Sequence, residues 1–352
     1  MILKGGILMY YAGIDLHKRF VQISVNDRSG HELANSKIAC DNDQIVDFFS
    51  SFNDRPISSV IEATANWPWL VRLLGQQGIK VCLAHPLKTK AIASARIKTD
   101  SIDAKILADL LRADLIPKSY MANQEEQAQR DLIRFRIGLV RQKTKIKNRI
   151  HAVLAKQNIK HDKTDLFGKK GRLFLTELTR DDFLWLTPLE KMLIAENLSV
   201  IDFLVKKIKK VDRELRKQYQ DNGNFKYLST IPGFGLVTSS ILLAEIGSVE
   251  RFKDEKQLVG YIGLAPSVYS SGGKTRKGRI TKLGNPIVRW ALVQAAYRAI
   301  RKDPYLKDFY QRIAQRRDNK KAIVAVARKL LVSVYIILKR QEDYQFREIR
   351  PS

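Results

Sequence analysis

The chain has 352 residues, of which 45% are hydrophobic, and this is enough for two or three domains with ordinary cores. Its 63 lysines and arginines against 36 acidic residues give a formal charge of +27, which favours a polyanionic partner, nucleic acid before an anionic membrane. No apolar run approaches the roughly 20 residues that cross a bilayer. The two cysteines, Cys40 and Cys82, form no metal-ligand pattern and are typical of a reducing compartment. We therefore expect a soluble intracellular protein that binds nucleic acid.

The first third of the chain alternates strand and helix patterns. Its order is three strands, helix, strand, helix, strand, helix. This order predicts an α/β RNase H-like (RuvC-like) domain, with a mixed sheet and an antiparallel meander at one side. The predicted strands are 10–15, 20–26, 31–38, 57–61 and 79–84, and the predicted helices are 41–52, 67–77 and one that begins near Ser101.

Four acidic residues stand at special places in this pattern. Asp15 ends the first strand, Glu62 ends the fourth, and Asp100 and Asp103 lie in the first turn of the last helix, which Thr99 or Asp100 caps. In this fold these positions converge at one edge of the sheet, where four carboxylates repel each other unless cations neutralise them. Hard oxygen ligands favour Mg²⁺ or Mn²⁺, and two such ions can clamp a scissile phosphate. The simpler interpretation of each acid alone is a surface residue, and the helix macrodipole favours acids in a first turn.

A helical pattern begins near Glu125 and predicts a coiled-coil hairpin with a basic tip at 156–172. Its apolar stripe either packs within the chain or forms a dimer seam. Dense basic residues, among them Arg141 and Lys145, favour contact with phosphate over a merely solvated face. The predicted stripe residues are Leu132, Phe135, Leu139, Ile146, Ile150 and Val153 on the first helix and Ile194, Ile201, Leu204, Ile208, Val211 and Leu215 on the second.

The segment 228–247 contains Ile-Pro-Gly-Phe-Gly, the hairpin signature of helix-hairpin-helix modules. Gly233 and Gly235 would let backbone amides face a phosphate, and the N-terminus of the next helix adds its dipole. Such a contact positions DNA without reading its sequence. The alternative is an ordinary Pro-Gly turn before a buried helix.

The segment 269–289 contains six basic residues and no acid. Ser270 and Ser271 precede two glycines, so a hydroxyl can approach a phosphodiester closely. Clustered cations could stabilise the charge of a phosphorane-like transition state, whereas a serine needs help to ionise. From this segment alone, a phosphate-binding loop without a nucleophile remains an alternative. The predicted nucleic-acid contacts here are Lys274, Arg276, Lys277, Arg279 and Lys282, and amphipathic helices follow at 287–300 and 320–338.

Five motifs in this order resemble the DEDD transposases of insertion sequences, the IS110 family of bridge-RNA-guided recombinases. The resemblance covers almost the whole chain. The motifs are Gly-Ile-Asp-Leu-His-Lys at 13–18, Ile-Glu-Ala-Thr at 61–64, Lys-Thr-Asp-Ser-Ile-Asp-Ala at 98–104, Ile-Pro-Gly-Phe-Gly at 231–235 and Tyr-Ser-Ser-Gly-Gly-Lys at 269–274.

The resemblance implies a RuvC-like catalytic domain over 1–118, whose metal ligands are Asp15, Glu62, Asp100 and Asp103. It implies a basic coiled-coil hairpin over 119–222 and a mainly α-helical C-terminal transposase domain over 223–352. The nucleophilic serine maps to Ser271, with Ser270 one residue away as the remaining ambiguity.

Further implications of the resemblance concern partners and reaction. They are a covalent serine–DNA intermediate, donor and target DNA chosen by a structured bridge RNA, and dimers that form a tetramer. In such a tetramer the carboxylates of one subunit meet Ser271 of another. The expected location is the cytoplasm of a bacterium or archaeon, at the nucleoid when the protein acts.

Two other classes of function fit parts of the sequence. A metal-dependent endonuclease or junction resolvase would use the four carboxylates to activate water and Ser271 only to bind phosphate. A non-catalytic nucleic-acid-binding protein would use the basic hairpin and the helix-hairpin-helix segment, but it leaves the repulsion of the four acids unexplained. A membrane-surface role is disfavoured because the basic stretches lack neighbouring exposed aromatics.

Overall fold

The computed structural model describes residues 8–93, 99–271 and 274–348, and the chain divides into two compact units between Gln124 and Glu125. The strands are β1 (Tyr10–Leu16), β2 (Phe20–Asn26), β3 (Glu32–Ala39), β4 (Ile57–Glu62), β5 (Lys80–Ala84), β6 (Lys118–Ser119), β7 (Pro266–Ser271) and β8 (Lys274–Ile280). The helices of the first unit are α1 (Asn42–Ser50), α2 (Trp67–Gln76), α3 (Pro86–Ile92) and α4 (Asp100–Arg112). Those that follow are α5 (Gln124–Lys156), α6 (Lys169–Glu177), α7 (Pro188–Tyr219), α8 (Gly223–Ser229), α9 (Leu236–Ile246), α10 (Glu255–Ile262), α11 (Pro286–Lys302), α12 (Pro304–Arg316) and α13 (Asn319–Arg340).

The first unit is built on a six-stranded mixed sheet in the order β3-β2-β1-β4-β5-β6. β1 pairs antiparallel with β2 and parallel with β4, and β4 pairs parallel with β5. The predicted mixed sheet with an antiparallel meander is confirmed. Sequence analysis missed β6, a two-residue strand in which Lys118 pairs with Ala84. The boundary predicted after residue 118 therefore falls inside this strand.

Helices cover both faces of the sheet because the buried strands carry apolar side chains in both directions. On one face, α1 and α2 pack Ile45, Phe49, Leu70 and Leu74 against the even-numbered residues of β1. On the other face, α4 packs Leu107 and Leu110 with Val60 and Ala84.

Gly13 allows α4 to lie directly on β1. A Cβ atom at Gly13 would collide with the Ala104 carbonyl and the Ala108 amide and would lie 2.9 Å from Leu107 Cβ. The Ala104 carbonyl and the Ala108 amide are backbone groups of a continuous helix, so neither can move aside without the helix. A side-chain hydrogen bond also holds α4 on the sheet, because Asn26 Nδ2 of β2 donates to Asp109 Oδ1 of α4 at 2.9 Å.

We expect Gly13→Ala to lower the free energy of unfolding by about 1–3 kcal/mol, because the new methyl group forces α4 away from the sheet. Urea denaturation followed by circular dichroism measures this. Gly75→Ala in α2 is the matched control, since no atom lies within 4 Å of the position its Cβ would take. Alanine in a helix there should be neutral or stabilising by about 0.5–1 kcal/mol. Equal stability of the two variants would contradict the close packing of β1 and α4.

The long helices α5 and α7 run antiparallel. Tyr219 Oη donates to Gln129 Oε1 at 3.4 Å, and Gln157 Nε2 donates to Glu190 Oε1 at 2.7 Å near the other end. Between these points Arg136 pairs with Asp212. The stripe predicted on α7 is buried throughout. Whether this pair is a coiled coil in the strict sense stays a prediction.

One expectation for this hairpin needs correction. Phe135, predicted to lie in the buried stripe, is 56% exposed, and Ile133 and Ile137 are buried instead. The segment predicted as the basic tip runs into α6, and a small apolar core lies at this end of the hairpin. That core consists of Ile150, Leu154, Leu166, Leu175, Leu178, Leu186, Ile194 and Ile201.

The rest of the second unit is helical apart from the β7–β8 hairpin, and its core joins α8 to α13 with parts of α5 and α7. The helices predicted at 287–300 and 320–338 are confirmed as α11 and α13. Sequence analysis missed α12, which Asp303 caps. In the part of the chain that the structure describes, no helix is long and apolar enough to cross a membrane.

Candidate functional site

Sheet register brings two of the predicted carboxylates, Asp15 and Glu62, to the same end of the sheet. Ile14 of β1 lies beside Ile61 of the parallel strand β4, so Asp15, the next-to-last residue of β1, and Glu62, the last residue of β4, follow at the same end of the sheet. Strand alternation places Asp15 on the face that Gly13 turns to α4, and Glu62 on the face of Val60, which also packs against α4. Both acids therefore belong to the α4 side of the sheet.

The N-terminus of α4 brings two further acids to this edge. The Thr99 hydroxyl accepts from the Ile102 amide at 3.3 Å, which starts the helix one residue before the predicted Ser101. Asp100 and Asp103 are then in its first turn. The amides of that turn and the helix dipole stabilise their negative charges by about 0.3–1 kcal/mol each.

His17 connects the strand acid to the helix acid. Its Nε2 lies 3.0 Å from Asp15 Oδ2 and 3.4 Å from Asp100 Oδ1. When Asp15 is ionised, its carboxylate can only accept a hydrogen bond, and Nε2–H is then the donor. The ring stacks on Phe20 with centroids 4.5 Å apart, and the His17 carbonyl accepts from Asn66 Nδ2 at 3.2 Å. These contacts hold the imidazole between the two acids.

Among the described residues, Asp15, His17 and Asp100 form a group whose ligand atoms all lie within 4.8 Å of one another. Glu62 and Asp103 stand outside that tight group, although the Asp103 charge still acts on Asp15. The carboxylate oxygens of this group suit a hard divalent cation, whereas His17 Nε2 can ligate a metal only when it carries no proton.

Burial raises the pKa of the Asp15 carboxyl above its ordinary value of 3.8. His17 acts in the opposite direction, and the charges of Asp100 and Asp103 raise this pKa further. The ionised form of Asp15 is thus disfavoured by its surroundings, and a bound cation would relieve both the desolvation and the repulsion.

His17 lies in the motif at 13–18, but no role was predicted for it from the sequence. The signal was its spacing, because a histidine two residues beyond a strand-end aspartate returns to the same side of the chain. The stacking of Phe20 on the His17 ring was not predictable from the sequence, because it depends on the conformation of the β1–β2 turn.

In the second unit, Ser271 lies at the end of β7, where it pairs with Lys274 of β8, and Ser270 pairs with Thr275. The segment predicted as a loop therefore belongs to a two-stranded hairpin, and Gly272 and Gly273 lie outside the described residues. Two adjacent glycines between alternating segments are a hairpin signal that the loop interpretation passed over. The Thr281 amide donates to the Ala265 carbonyl at 2.9 Å and closes the hairpin at its base.

The predicted nucleic-acid contacts are scattered over the second unit. Arg276, Arg279 and Lys282 are exposed on or beside β8, and Lys274 and Lys277 share that strand. Arg141 and Lys145 are exposed on α5. These positions leave their side chains accessible to a polyanion wherever the exposure is described.

Gly233 and Gly235 lie in the short turn between α8 and α9, as the motif predicts. Gly233 has a left-handed backbone, φ 86°, and a Cβ there would collide with the Ala295 carbonyl of α11. This contact gives the glycine a packing role, and its predicted contact with phosphate stays a prediction. Gly235 precedes α9 in an extended conformation.

A mixed sheet with acids converging beside a covering helix, followed by a helical unit, fits an RNase H-like transposase. Residues 12–159 match the DEDD transposase family of IS110, and residues 225–311 match the transposase family IS116/IS110/IS902. The chain belongs to the DEDD transposases of the IS110 family.

Relatives support this membership along most of the chain. The transposase of insertion sequence IS1328 from Yersinia enterocolitica is 26% identical over 81% of this chain and 82% of its own. A probable family 20 transposase of Pseudomonas aeruginosa is 24% identical over 95% and 98%. The pilin gene-inverting protein of Moraxella lacunata is 26% identical over 84% of each chain.

Asp15→Asn should stabilise the metal-free protein at neutral pH. The raised pKa of Asp15 means that the folded wild type binds the proton more tightly than the unfolded chain does. Its stability therefore falls as the pH rises from the ordinary value of 3.8 through the raised pKa. Asparagine cannot ionise, so its advantage should be present at about pH 7 and absent near pH 3.

Thermal unfolding in EDTA at both pH values measures this difference. Added Mn²⁺ should raise the melting temperature of the wild type more than that of Asp15→Asn. A variant less stable than the wild type at neutral pH would contradict the electrostatic account.

Proposed function

We propose that this protein cuts and rejoins DNA strands of an insertion sequence through a covalent bond between Ser271 and DNA. The observation that carries the proposal is the convergence of Asp15, His17 and Asp100 at one sheet edge, in a chain that places a serine at the end of a basic hairpin. Asp15, Glu62, Asp100 and Asp103 hold the metal, which we propose to be Mg²⁺ or Mn²⁺.

A divalent cation bound here would neutralise negative charge and help to ionise the attacking oxygen. The chain's own residues supply the positioning. Asp15 and Glu62 are fixed by the parallel pairing of β1 and β4, and Asp100 and Asp103 by the α4 cap. His17 holds the Asp15 carboxylate in one orientation through its Nε2–H.

The covalent step needs no co-reactant besides the serine and the DNA. The Ser271 oxygen forms a bond to phosphorus as one phosphorus–oxygen bond of the DNA breaks. The serine loses its proton, and the departing DNA oxygen takes one up to become a free hydroxyl. A hydroxyl of another strand then attacks the same phosphorus and releases Ser271, so the phosphodiester energy is conserved. Arg276, exposed on β8 two residues from Lys274, the pairing partner of Ser271, would bind the phosphate charge during both steps.

The partners follow from the family and from the charge of the chain. Transposases and a gene-inverting protein among the relatives support double-stranded DNA, both donor and target, as substrate. A structured bridge RNA guides the choice of sites, and a formal charge of +27 can hold both nucleic acids. Dimers assemble into a tetramer on DNA, so that carboxylates and serine from different subunits act together.

Ser271→Ala should abolish a covalent protein–DNA adduct, because no other atom at that position can carry the phosphoryl group. The protein is incubated with labelled element-end DNA, bridge RNA and Mg²⁺, denatured, and resolved by gel electrophoresis. Ser270→Ala is the matched control and should keep the adduct. EDTA should remove the adduct from the wild type.

Each other outcome points to a different reaction. Cleavage with free ends and no adduct would replace this proposal with a hydrolytic nuclease that activates water. An adduct lost in Ser270→Ala and kept in Ser271→Ala would move the nucleophile by one residue.

His17→Ala should weaken Mn²⁺ binding about tenfold, because hydrogen-bonded partners of metal ligands typically contribute that much. His17→Gln keeps a donor of similar reach and should restore most of the affinity. Isothermal titration of metal into the DNA-free protein separates this effect from catalysis. Unchanged affinity in His17→Ala would show that His17 does not position Asp15 for the metal.

A further inference from the structure

A groove of about 1350 Å³ lies in the second unit between β8 and the first turns of α13. Apolar side chains line part of it, and six exposed cations line the rest. These cations are Arg279, Lys282, Arg317, Lys320, Lys321 and Arg328. A groove lined by both cations and apolar side chains suits a polyanionic polymer whose charged groups are regularly spaced along a less polar body.

The single acid among the described residues of this groove is already engaged. Asp318 caps α13 by accepting from the Lys321 amide at 2.7 Å, and its carboxylate lies 2.8 Å from Lys321 Nζ. The other five cations therefore face the groove with no further acid in its described lining. The 22-residue helix α13 also directs the positive end of its dipole there.

Lys282 occupies a conformation that costs less for glycine. Its φ is 57°, and its amide donates to the carbonyl of Gly263, itself left-handed at φ 77°. Glycine is the residue usually found in this left-handed conformation, so a lysine there is energetically unfavourable for the backbone. At the edge of this groove, the lysine side chain adds a cation that glycine would lack.

The groove is continuous with the hairpin that carries Ser271. Arg279 stands five residues along β8 from Lys274, the partner of Ser271 in the strand pairing. At about 3.4 Å per residue, this is about 17 Å along the strand. Along its axis, duplex DNA rises about 3.4 Å per base pair, so this separation corresponds to about five base pairs of a duplex whose axis lies along the strand.

We propose that this groove binds the phosphate backbone of duplex DNA about five nucleotides from the phosphodiester that Ser271 attacks. The choice of DNA as occupant rests on the proposed function, and the binding of a polyanion rests on the groove itself. The contact is to phosphates, so it positions the duplex without reading its sequence.

The test measures binding of a labelled DNA duplex to the full chain carrying Ser271→Ala, in EDTA, so that no strand is cut. Fluorescence anisotropy over a range of salt concentrations gives the affinity and its salt slope. We expect each of three variants to weaken DNA binding about three- to tenfold: Lys282→Gly, Arg317→Ala and Lys320→Ala. Each should also reduce the magnitude of the salt slope by about one. Lys307→Ala, an exposed lysine of α12 outside the groove lining, is the matched control and should change neither.

Lys282→Gly protects the test against misfolding, since its melting temperature should equal or exceed that of the parent. Groove variants that bind DNA as the control does would overturn the proposal. Weakened binding of an RNA duplex of the same sequence, with DNA binding unchanged, would overturn it in favour of RNA. The cleavage-free assay is independent of the adduct, so a failure of the Ser271 chemistry leaves this result readable.

Discussion

The contact of α4 with β1 at Gly13 is the constraint on which the first unit's site depends. A helix normally stands off a sheet by the thickness of its side chains, whereas here a backbone carbonyl and amide of α4 reach the strand. The approach sets the first turn of α4 over the end of the sheet, where Asp15 is already fixed by strand pairing. The helix dipole and His17 reduce the repulsion that this closeness creates, but burial keeps the Asp15 carboxylate electrostatically strained.

The second unit uses a different means to place its reactive segment. The β7–β8 hairpin is held at its base by backbone hydrogen bonds to the end of α10, and Arg289 of α11 donates to the Ile262 carbonyl at 3.0 Å. The serine stands at the other end of the hairpin. A rigid base with a basic strand beside it suits a group that must meet a large, charged substrate rather than one enclosed in a pocket.

Much of the first unit followed from periodicity, because its strands are short, buried and separated by clear turns. β2 runs from Phe20 to Asn26 as predicted, whereas β6 has only two residues and no pattern of its own. The position of the acids at one edge was predictable from fold order, but the place of His17 depended on the β1–β2 turn. In the second unit Phe135 misled the stripe prediction, since Phe135, Ile133 and Ile137 are all apolar and the pattern alone did not show which of them α5 buries.

The separate core at the tip of the long hairpin has a consequence for how this transposase can unfold and vary. α5 has 33 residues, which is about 50 Å of helix, and its two ends contribute to different apolar clusters. Ile146 packs against both clusters, and local opening of the tip beyond it lets amides of α6 exchange with solvent while the C-terminal core stays closed. Matched insertions of whole heptads into α5 and α7 would lengthen the arm without altering either core. The reach of this arm is thus a quantity that evolution can adjust independently of the two sites.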